Sequence, residues 1–120
     1  MKLAHLALAV RDQERSRSFY ETYFRFDAGP SNVLDSGVLF LRNEDGFELA
    51  LAERGDPAPL PPFVHFGFRL DHADDVRVLR HGLATAGFDI FDEEEEADFV
   101  SFKCRDPDGY LVQLYWSESP

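Results

Sequence analysis

The chain has 120 residues, of which 44% are hydrophobic, including twelve Phe, and it carries a formal net charge of −11. This length and composition suit one compact domain with a real core and exclude a disordered chain. The acidic surplus would repel phosphate backbones, so no nucleic-acid partner is expected. The one Cys, Cys104, cannot form an internal disulfide, which suits a reducing cytoplasm.

The N-terminal segment argues against a membrane partner. Its apolar run from Leu3 to Val10 is interrupted by His5, ends at Arg11 and lacks a small-residue cleavage site. It is too short for a membrane span and a poor match to a signal peptide, so we expect a cytoplasmic protein.

Two halves of the chain repeat one order of elements. Residues 1–52 predict a strand in HLALAV, a helix in QERSRSFYETYF with Asp12 as its N-cap, and then three strands, two of them in GVLFLR and FELALA around the turn NEDG. A Pro-rich linker, residues 53–62, follows. The repeat predicts one domain, residues 1–120, made of two modules.

Residues 63–120 form the second half. It predicts a strand in HFGFRL, a helix with an apolar stripe, and strands in FDIF, FVSFKC and YLVQLYW. Asp71, Asp74 and Asp75 are expected to supply a cap and charges at the helix start, and Gly87 to end the helix. The acidic run from Asp92 to Asp98 is expected to be a solvated loop.

Alternation along the first and last strands of each half places polar or small side chains on one face and bulky ones on the other. The polar face carries His5 in the first strand, Glu48 in the last strand of the first half, His65 with Gly67 and Arg69, and Gln113 with Tyr115. Opposite them lie runs of Leu, Val, Phe and Trp, suited to packing under helices. If these polar faces form a concave surface, they would line a pocket.

Two His, one Glu and one Gln are chemically suited to a divalent metal, the amide being the weakest ligand. If the two halves curl so that these faces converge, His5, Glu48, His65 and Gln113 could supply two nitrogens and two oxygens. A polar pocket without metal remains the other interpretation of the same residues.

The sequence resembles the vicinal oxygen chelate superfamily, which includes glyoxalase I, methylmalonyl-CoA epimerase, fosfomycin-resistance thiol transferases, extradiol dioxygenases and bleomycin-resistance proteins. The resemblance rests on HLALAVRD with SFYETYF, on FELAL and HFGFRL, and above all on DPDGYLVQL before the end of the chain. It implies an α+β, glyoxalase-like fold of two βαβββ modules that form an open eight-stranded, barrel-like sheet around a concave pocket. It also implies a homodimer.

The resemblance places the metal ligands on the first and last strands of each module, here His5, Glu48, His65 and Gln113, for Zn, Ni, Mn, Co or Fe. Gln113 departs from the Glu that thiol transferases and dioxygenases have there, which argues against both activities. An amide cannot act as a base near neutral pH, so Glu48 becomes the candidate catalytic base.

Two functions follow from these expectations. The first is a metal-dependent glyoxalase-like lyase or epimerase that moves a proton beside a carbonyl of a small oxygen-rich metabolite, with Arg69 and Tyr115 as candidate substrate-binding residues. The second is a metal-free protein that sequesters a small molecule, as bleomycin-resistance proteins do. The acidic charge suits a cationic drug, but the pair His5 and His65 has no evident use in such a pocket.

Overall fold

A computed structural model describes residues 1–29 and 36–120. The chain divides into two compact units, residues 1–58 and residues 59–120. Each unit packs one helix against one sheet, which gives the mixed α+β class expected from the sequence.

The first unit contains β1 (His5–Val10), α1 (Gln13–Phe24), β2 (Leu39–Arg42) and β3 (Glu48–Glu53). Its sheet has the order β1-β3-β2, with β1 parallel and β2 antiparallel to β3. The central strand β3 lies between the other two, so any side chain on it has a neighbour on each side.

Helix α1 begins where the sequence predicts. Asp12 is the N-cap, and its carboxylate accepts a hydrogen bond from the Arg15 backbone N–H at 3.1 Å. Ser16, Phe19 and Tyr20 form the buried stripe, and α1 contacts β3 through this face. The helix ends at Arg25, which adopts a left-handed conformation (φ 58°).

Two of the three strands predicted after α1 lie among the described residues. An isolated antiparallel bridge between Asp27 and Arg42 extends the sheet beyond β2. The sequence did not locate the third strand, and residues 30–35 lie outside the described part of the chain.

The second unit contains β4 (Phe66–Arg69), α2 (Ala73–Thr85), β5 (Ile90–Glu95), β6 (Phe99–Arg105) and β7 (Leu111–Ser117). The sheet order is β4-β7-β6-β5, with β4 parallel to β7 and the other pairs antiparallel. Helix α2 contacts β5, β6 and β7. The second unit therefore has the strand, helix and three-strand order that the sequence predicts.

The predicted cap of α2 was wrong in one detail. The N-cap residue is His72, not an aspartate, and its side chain makes no capping hydrogen bond. Asp74 and Asp75 do lie in the first turn, where their charges favour the positive end of the helix dipole. Gly87, at φ 92°, follows the C-cap Ala86 as expected.

The acidic run is another correction, because its first half is a strand and not a loop. Residues 92–95 belong to β5, the edge strand of the second sheet, and their side chains are exposed. Arg77 donates to both carboxylate oxygens of Glu95, and these hydrogen bonds hold the pKa of Glu95 below its usual value. Charges on an edge strand also discourage pairing with another chain.

The turns before β3 and β7 have the same hydrogen bonds. The Asn43 side-chain oxygen accepts from the N–H groups of Asp45 and Phe47, and one carboxylate oxygen of Asp106 accepts from Asp108 and Tyr110. In each turn the fourth residue is a glycine with positive φ. The repeat read from the sequence therefore extends to individual hydrogen bonds.

The bulky faces form the interior of each unit. In the first unit the fully buried aliphatic side chains are Val10, Leu39, Leu41, Leu49 and Leu51, and in the second they include Val76, Leu83, Val100 and Val112. Within the described residues, neither helix is long and apolar enough to cross a membrane.

Candidate functional site

The polar faces predicted from strand parity are present in both units. In β1, Leu8 and Val10 are buried while His5 is exposed, and in β7, Val112 and Leu114 are buried while Gln113 is half-buried. Each helix covers the bulky side of its sheet, which leaves the polar side available.

In the first unit, three polar residues form a row across the sheet. His5 is the register partner of Glu48, and Glu48 is the register partner of Arg42. Arg42 donates through Nη2 to Glu48 Oε1 at 3.1 Å, and the Glu48 side chain is 37% exposed. The carboxylate is thus held by a cation, with an imidazole on the neighbouring strand.

A cavity of about 470 Å³ adjoins this row. Its polar lining includes Arg25, Asp27, Arg42, Glu44 and Glu48. Three carboxylates and two guanidinium groups leave the lining with mixed charge, suited to a ligand with both polar oxygens and a charged group.

In the second unit, His65 and Gln113 are in direct contact. His65 Nε2 lies 3.2 Å from Gln113 Oε1, and His65 Nδ1 lies 2.7 Å from the Phe63 carbonyl oxygen. Gln113 Nε2 donates to Ser101 Oγ at 2.9 Å. A cavity of about 370 Å³ opens on this pair and is lined by His65, Gly67, Phe99, Gln113 and Tyr115.

These contacts determine which atoms carry protons. A carbonyl oxygen only accepts, so His65 Nδ1 must carry the proton, and in the neutral imidazole Nε2 then has a free lone pair. In this structure the Gln113 amide nitrogen is turned toward Ser101, so Oε1, an acceptor, faces His65. With the amide in this orientation, two acceptors face each other at 3.2 Å, an arrangement that a cation between them would stabilise.

The spacing of these two atoms fits a metal ion. Ligand atoms about 2.1 Å from an ion, at angles between about 90° and 110°, lie about 3.0 to 3.4 Å apart. The observed separation of 3.2 Å falls within this range. A His nitrogen and an amide oxygen are also accepted ligand types, so this pair suits a divalent cation in both chemistry and geometry.

Gly67 allows the strands to approach closely beside this pair. A Cβ on Gly67 would lie 3.3 Å from the Gln113 carbonyl oxygen and 3.6 Å from Tyr115 Cε1. A larger residue at this position would push against the strand that carries Gln113.

The two ligand pairs are not equivalent in register, although they occupy equivalent strands of the repeat. His5 lies directly opposite Glu48, whereas the register partner of Gln113 is Gly67, two residues beyond His65. The contact between His65 and Gln113 is therefore diagonal, which a long side chain can span. Because the side-chain period is two residues, this shift leaves all four residues on the predicted faces.

Of the two candidate substrate-binding residues, Tyr115 lines the cavity beside Gln113, and its ring lies 6.1 Å from the ring of Phe99. Arg69 is exposed on β4 opposite Tyr115, and its Nη2 donates to the Ser117 carbonyl oxygen at 2.8 Å. This hydrogen bond anchors the Arg69 side chain within the second unit.

Sequence reasoning missed Arg42, Ser101, Phe63 and Lys103. Strand parity alone could have placed Arg42, Ser101 and Lys103 on the polar faces, since each alternates with buried apolar residues. Their partners depend on strand register, which the sequence does not give. Within the described part of the chain, no three His, Cys, Asp or Glu side chains group together as a possible metal site. Each unit instead brings two of the predicted residues together: His5 with Glu48 in the first and His65 with Gln113 in the second.

The sequence matches the family model of the Glyoxalase/Bleomycin resistance protein/Dioxygenase superfamily over residues 2–114. The chain belongs to this superfamily. Among proteins with curated descriptions, none matches the sequence.

Solved structures with this fold include a possible glyoxalase from Bacillus cereus, with 26% identity, a TM-score of 0.80 and coverage of 95% of this chain and 97% of that one. A glyoxylase/bleomycin resistance protein/dioxygenase domain from Frankia sp. EAN1pec has 20% identity, a TM-score of 0.82 and coverage of 99% and 93%. The fosfomycin resistance protein FosX from Listeria monocytogenes, complexed with Mn(II) and sulfate, has 20% identity, a TM-score of 0.79 and coverage of 97% and 90%.

Proposed function

We propose that this chain is a divalent-metal-dependent enzyme of the glyoxalase or epimerase type. It would act on a small oxygen-rich metabolite by proton transfer beside a carbonyl. The observation that carries the proposal is the pair of acceptor atoms, His65 Nε2 and Gln113 Oε1, that face each other at 3.2 Å. The Mn(II) complex of FosX, a protein of the same fold, supports the choice of a divalent ion.

The proposed ligand positions are His5, Glu48, His65 and Gln113, and Zn, Ni, Mn, Co and Fe are the candidate ions. When bound, such an ion would polarise the substrate carbonyl and favour negative charge on its oxygen. The remaining work falls to side chains of the protein.

Glu48 is proposed to move the proton. It is the carboxylate among the four proposed ligands, and a carboxylate can take up a proton and return it, whereas an amide cannot. Arg42 holds Glu48 Oε1 at 3.1 Å and thereby restricts the orientation of the carboxylate. Arg69 and Tyr115 are proposed to orient the substrate, Arg69 by pairing with an anionic group and Tyr115 from the wall of the cavity.

The proposed molecular organisation follows the family resemblance. We infer a single domain of two βαβββ modules joined by the linker at residues 53–62, an open eight-stranded barrel-like sheet, and a homodimer. Light scattering coupled to size exclusion tests the homodimer directly, since a monomeric mass would contradict it.

A specific feature favours a second function, a metal-free protein that sequesters a small molecule. If the Gln113 amide turns by 180°, its nitrogen can donate to His65 Nε2 while Ser101 Oγ donates to its oxygen. The facing atoms of the pair would then be hydrogen-bonded without a cation. His65 and Gln113 would form a polar wall of the cavity in which a small molecule binds.

Metal content separates the two functions. Protein purified without a histidine tag, and then offered Mn, Ni, Zn, Co or Fe, should hold one ion per chain by elemental analysis. His5→Ala and His65→Ala should each reduce the bound metal severely, because each removes a nitrogen ligand. His81→Ala is the matched control, since His81 is exposed on α2 and is not among the proposed ligands, and this variant should bind metal as the unaltered protein does.

No stoichiometric uptake of any of these ions would overturn the enzyme proposal and support sequestration. Equal loss of metal in the His81 variant would show that the binding is adventitious.

A further inference from the structure

Phe63 is in an unusual position for an aromatic residue. Its side chain is 79% exposed and its φ is 74°. The Val64 N–H donates to the Pro61 carbonyl at 3.2 Å, which makes Phe63 the third residue of a turn whose geometry normally selects glycine. A residue with a side chain costs about 1 to 2 kcal/mol in this backbone region. Because the Phe63 ring is exposed, burial of apolar surface does not offset that cost.

The contacts of Phe63 converge on His65. Its carbonyl oxygen accepts from His65 Nδ1 at 2.7 Å, and its ring meets the imidazole edge to face, with centroids 5.3 Å apart and planes at 87°. One residue therefore controls the proton position of the imidazole and restricts the rotation of its ring.

The Phe63 ring is itself held from another side. Lys103 Nζ lies 5.5 Å from the ring centroid, within the range of a cation–π contact, and 3.2 Å from Asp92 Oδ2. Asp92 has a φ of 50° and lies at the irregularity in the pairing of β5 with β6. Such bulges redirect side chains, and here the bulge directs a carboxylate to the ammonium group.

We propose that Phe63 is a positioning residue for His65. Its carbonyl keeps the proton on Nδ1 so that the Nε2 lone pair points toward Gln113, and its ring, supported by Lys103, fixes the plane of the imidazole. This inference rests on the proposed function, because a defined Nε2 lone pair has its use in binding a cation.

The tautomer of His65 can be measured directly in the metal-free protein. Long-range ¹H–¹⁵N spectra at about pH 8.5, where an ordinary imidazole is neutral, should show the Nδ1–H form at His65. Phe63→Pro removes the positive φ and moves the carbonyl, so His65 should shift to a mixture that contains the Nε2–H form. Phe63→Gly suits the turn, keeps the carbonyl and removes the ring, so the Nδ1–H form should persist.

Metal affinity supplies the second measurement. Phe63→Gly should weaken metal binding by about tenfold or more, the size of effect typical of residues that orient a ligand. Lys103→Met should weaken it in the same direction by releasing the ring. Arg105→Met is the matched control, because Arg105 makes a similar contact with the Phe91 ring, at 5.4 Å, on the same strand, and it should leave binding unchanged.

The outcomes keep this inference separate from the proposed function. The Nε2–H form in the unaltered protein would overturn the inference, as would a Phe63→Pro variant whose tautomer and metal affinity are both unchanged. If the tautomer responds as described but no ion binds to any variant, the role of Phe63 in orienting His65 stands and the metal-dependent function fails. If Phe63→Pro does not fold, the tautomer of the unaltered protein still decides the question.

Discussion

His65 and Gln113 contact each other through atoms whose chemistry is determined by their other neighbours. The Phe63 carbonyl sets the proton on the imidazole, and Ser101 Oγ accepts from the Gln113 amide nitrogen. The sequence placed both residues on one polar face, because strand parity is a short-range property. It could not supply the contact of Phe63 with His65 or of Ser101 with Gln113, because a turn with positive φ and a cross-strand neighbour depend on the folded backbone.

Glu48 is the residue whose chemical role is easiest to isolate. Glu48→Gln keeps an oxygen for a metal but removes the base, so we expect metal content to persist and turnover to fall by about 100-fold or more. Deuterium uptake beside the carbonyl of small 2-hydroxy and 2-oxo compounds, followed by NMR in D₂O, measures the effect. Glu53→Gln, at the exposed end of β3, is the control, and unchanged exchange in Glu48→Gln would remove Glu48 as the base.

Cys104 provides a prediction about stability. Burial, with the nearby Asp106 charge, raises the pKa of its thiol from 9.0 to about 12. Above about pH 9 the unfolded chain therefore releases a proton that the folded chain retains, so the free energy of unfolding falls by about 1.4 kcal/mol per pH unit until about pH 12. Below about pH 9 the thiol contributes no pH dependence.

Urea unfolding of the unaltered protein and of Cys104→Ala, at several values between about pH 8 and pH 11, isolates this contribution from the other groups that titrate there. The stability difference between the two proteins should shrink as the pH rises. A constant difference would contradict the raised pKa.

At the scale of elements, the two turns show how far the internal repeat extends. Asn43 and Asp106 each accept from the backbone N–H groups two and four residues further along the chain, although one side chain is an amide and the other a carboxylate. The sequence predicted the first turn, NEDG, from its composition, and DPDG, the second, belongs to the segment that carries the family resemblance. The sequence could not give the register of the adjoining strands, because a shift of two residues keeps every side chain on its face and so leaves the sequence pattern unchanged.

The turn before β7 gives a matched pair of substitutions. Asp106 is 4% exposed, and its Oδ1 accepts from Asp108 and Tyr110. Asp106→Ala removes the acceptor of the part-buried Asp108 N–H and the buried Tyr110 N–H, and it should lower the free energy of unfolding by about 2 kcal/mol or more. Asp106→Asn keeps the acceptor that Asn43 provides in the first unit, so its cost should be below about 1 kcal/mol. Chemical denaturation measures both, and equal losses would contradict this account of the turn.

The acidic run, residues 92–98, was predicted from its composition to be a loop, but its first half is part of a strand. A block of like charges usually indicates a solvated loop, and residues 92–98 are indeed exposed, yet β5 continues to Glu95. The strand tolerates these charges because Arg77 and Arg80 on α2 pair with Glu93 and Glu95. Such pairing depends on the packing of a helix against a sheet edge, which the order of residues alone does not reveal.

For the molecule as a whole, length, the repeated order of elements and the DPDGYLVQL segment were enough to indicate the superfamily, and the family match over residues 2–114 confirms it. The choice of activity is different, because it depends on a few polar atoms whose partners come from several strands. The net charge of −11 also means that cations have other places to bind, including the carboxylates of β5.

The most direct test of the central claim is therefore where a divalent ion binds. NMR spectra of tag-free, ¹⁵N-labelled protein can follow the addition of substoichiometric Mn²⁺. The signals of the Gln113 side-chain amide and the His65 ring should broaden first, while the ring signals of His72 and His81 remain sharp. Broadening that begins at residues 92–96 of the acidic run, with Gln113 and His65 unaffected, would contradict the assignment of this pair as part of a metal site.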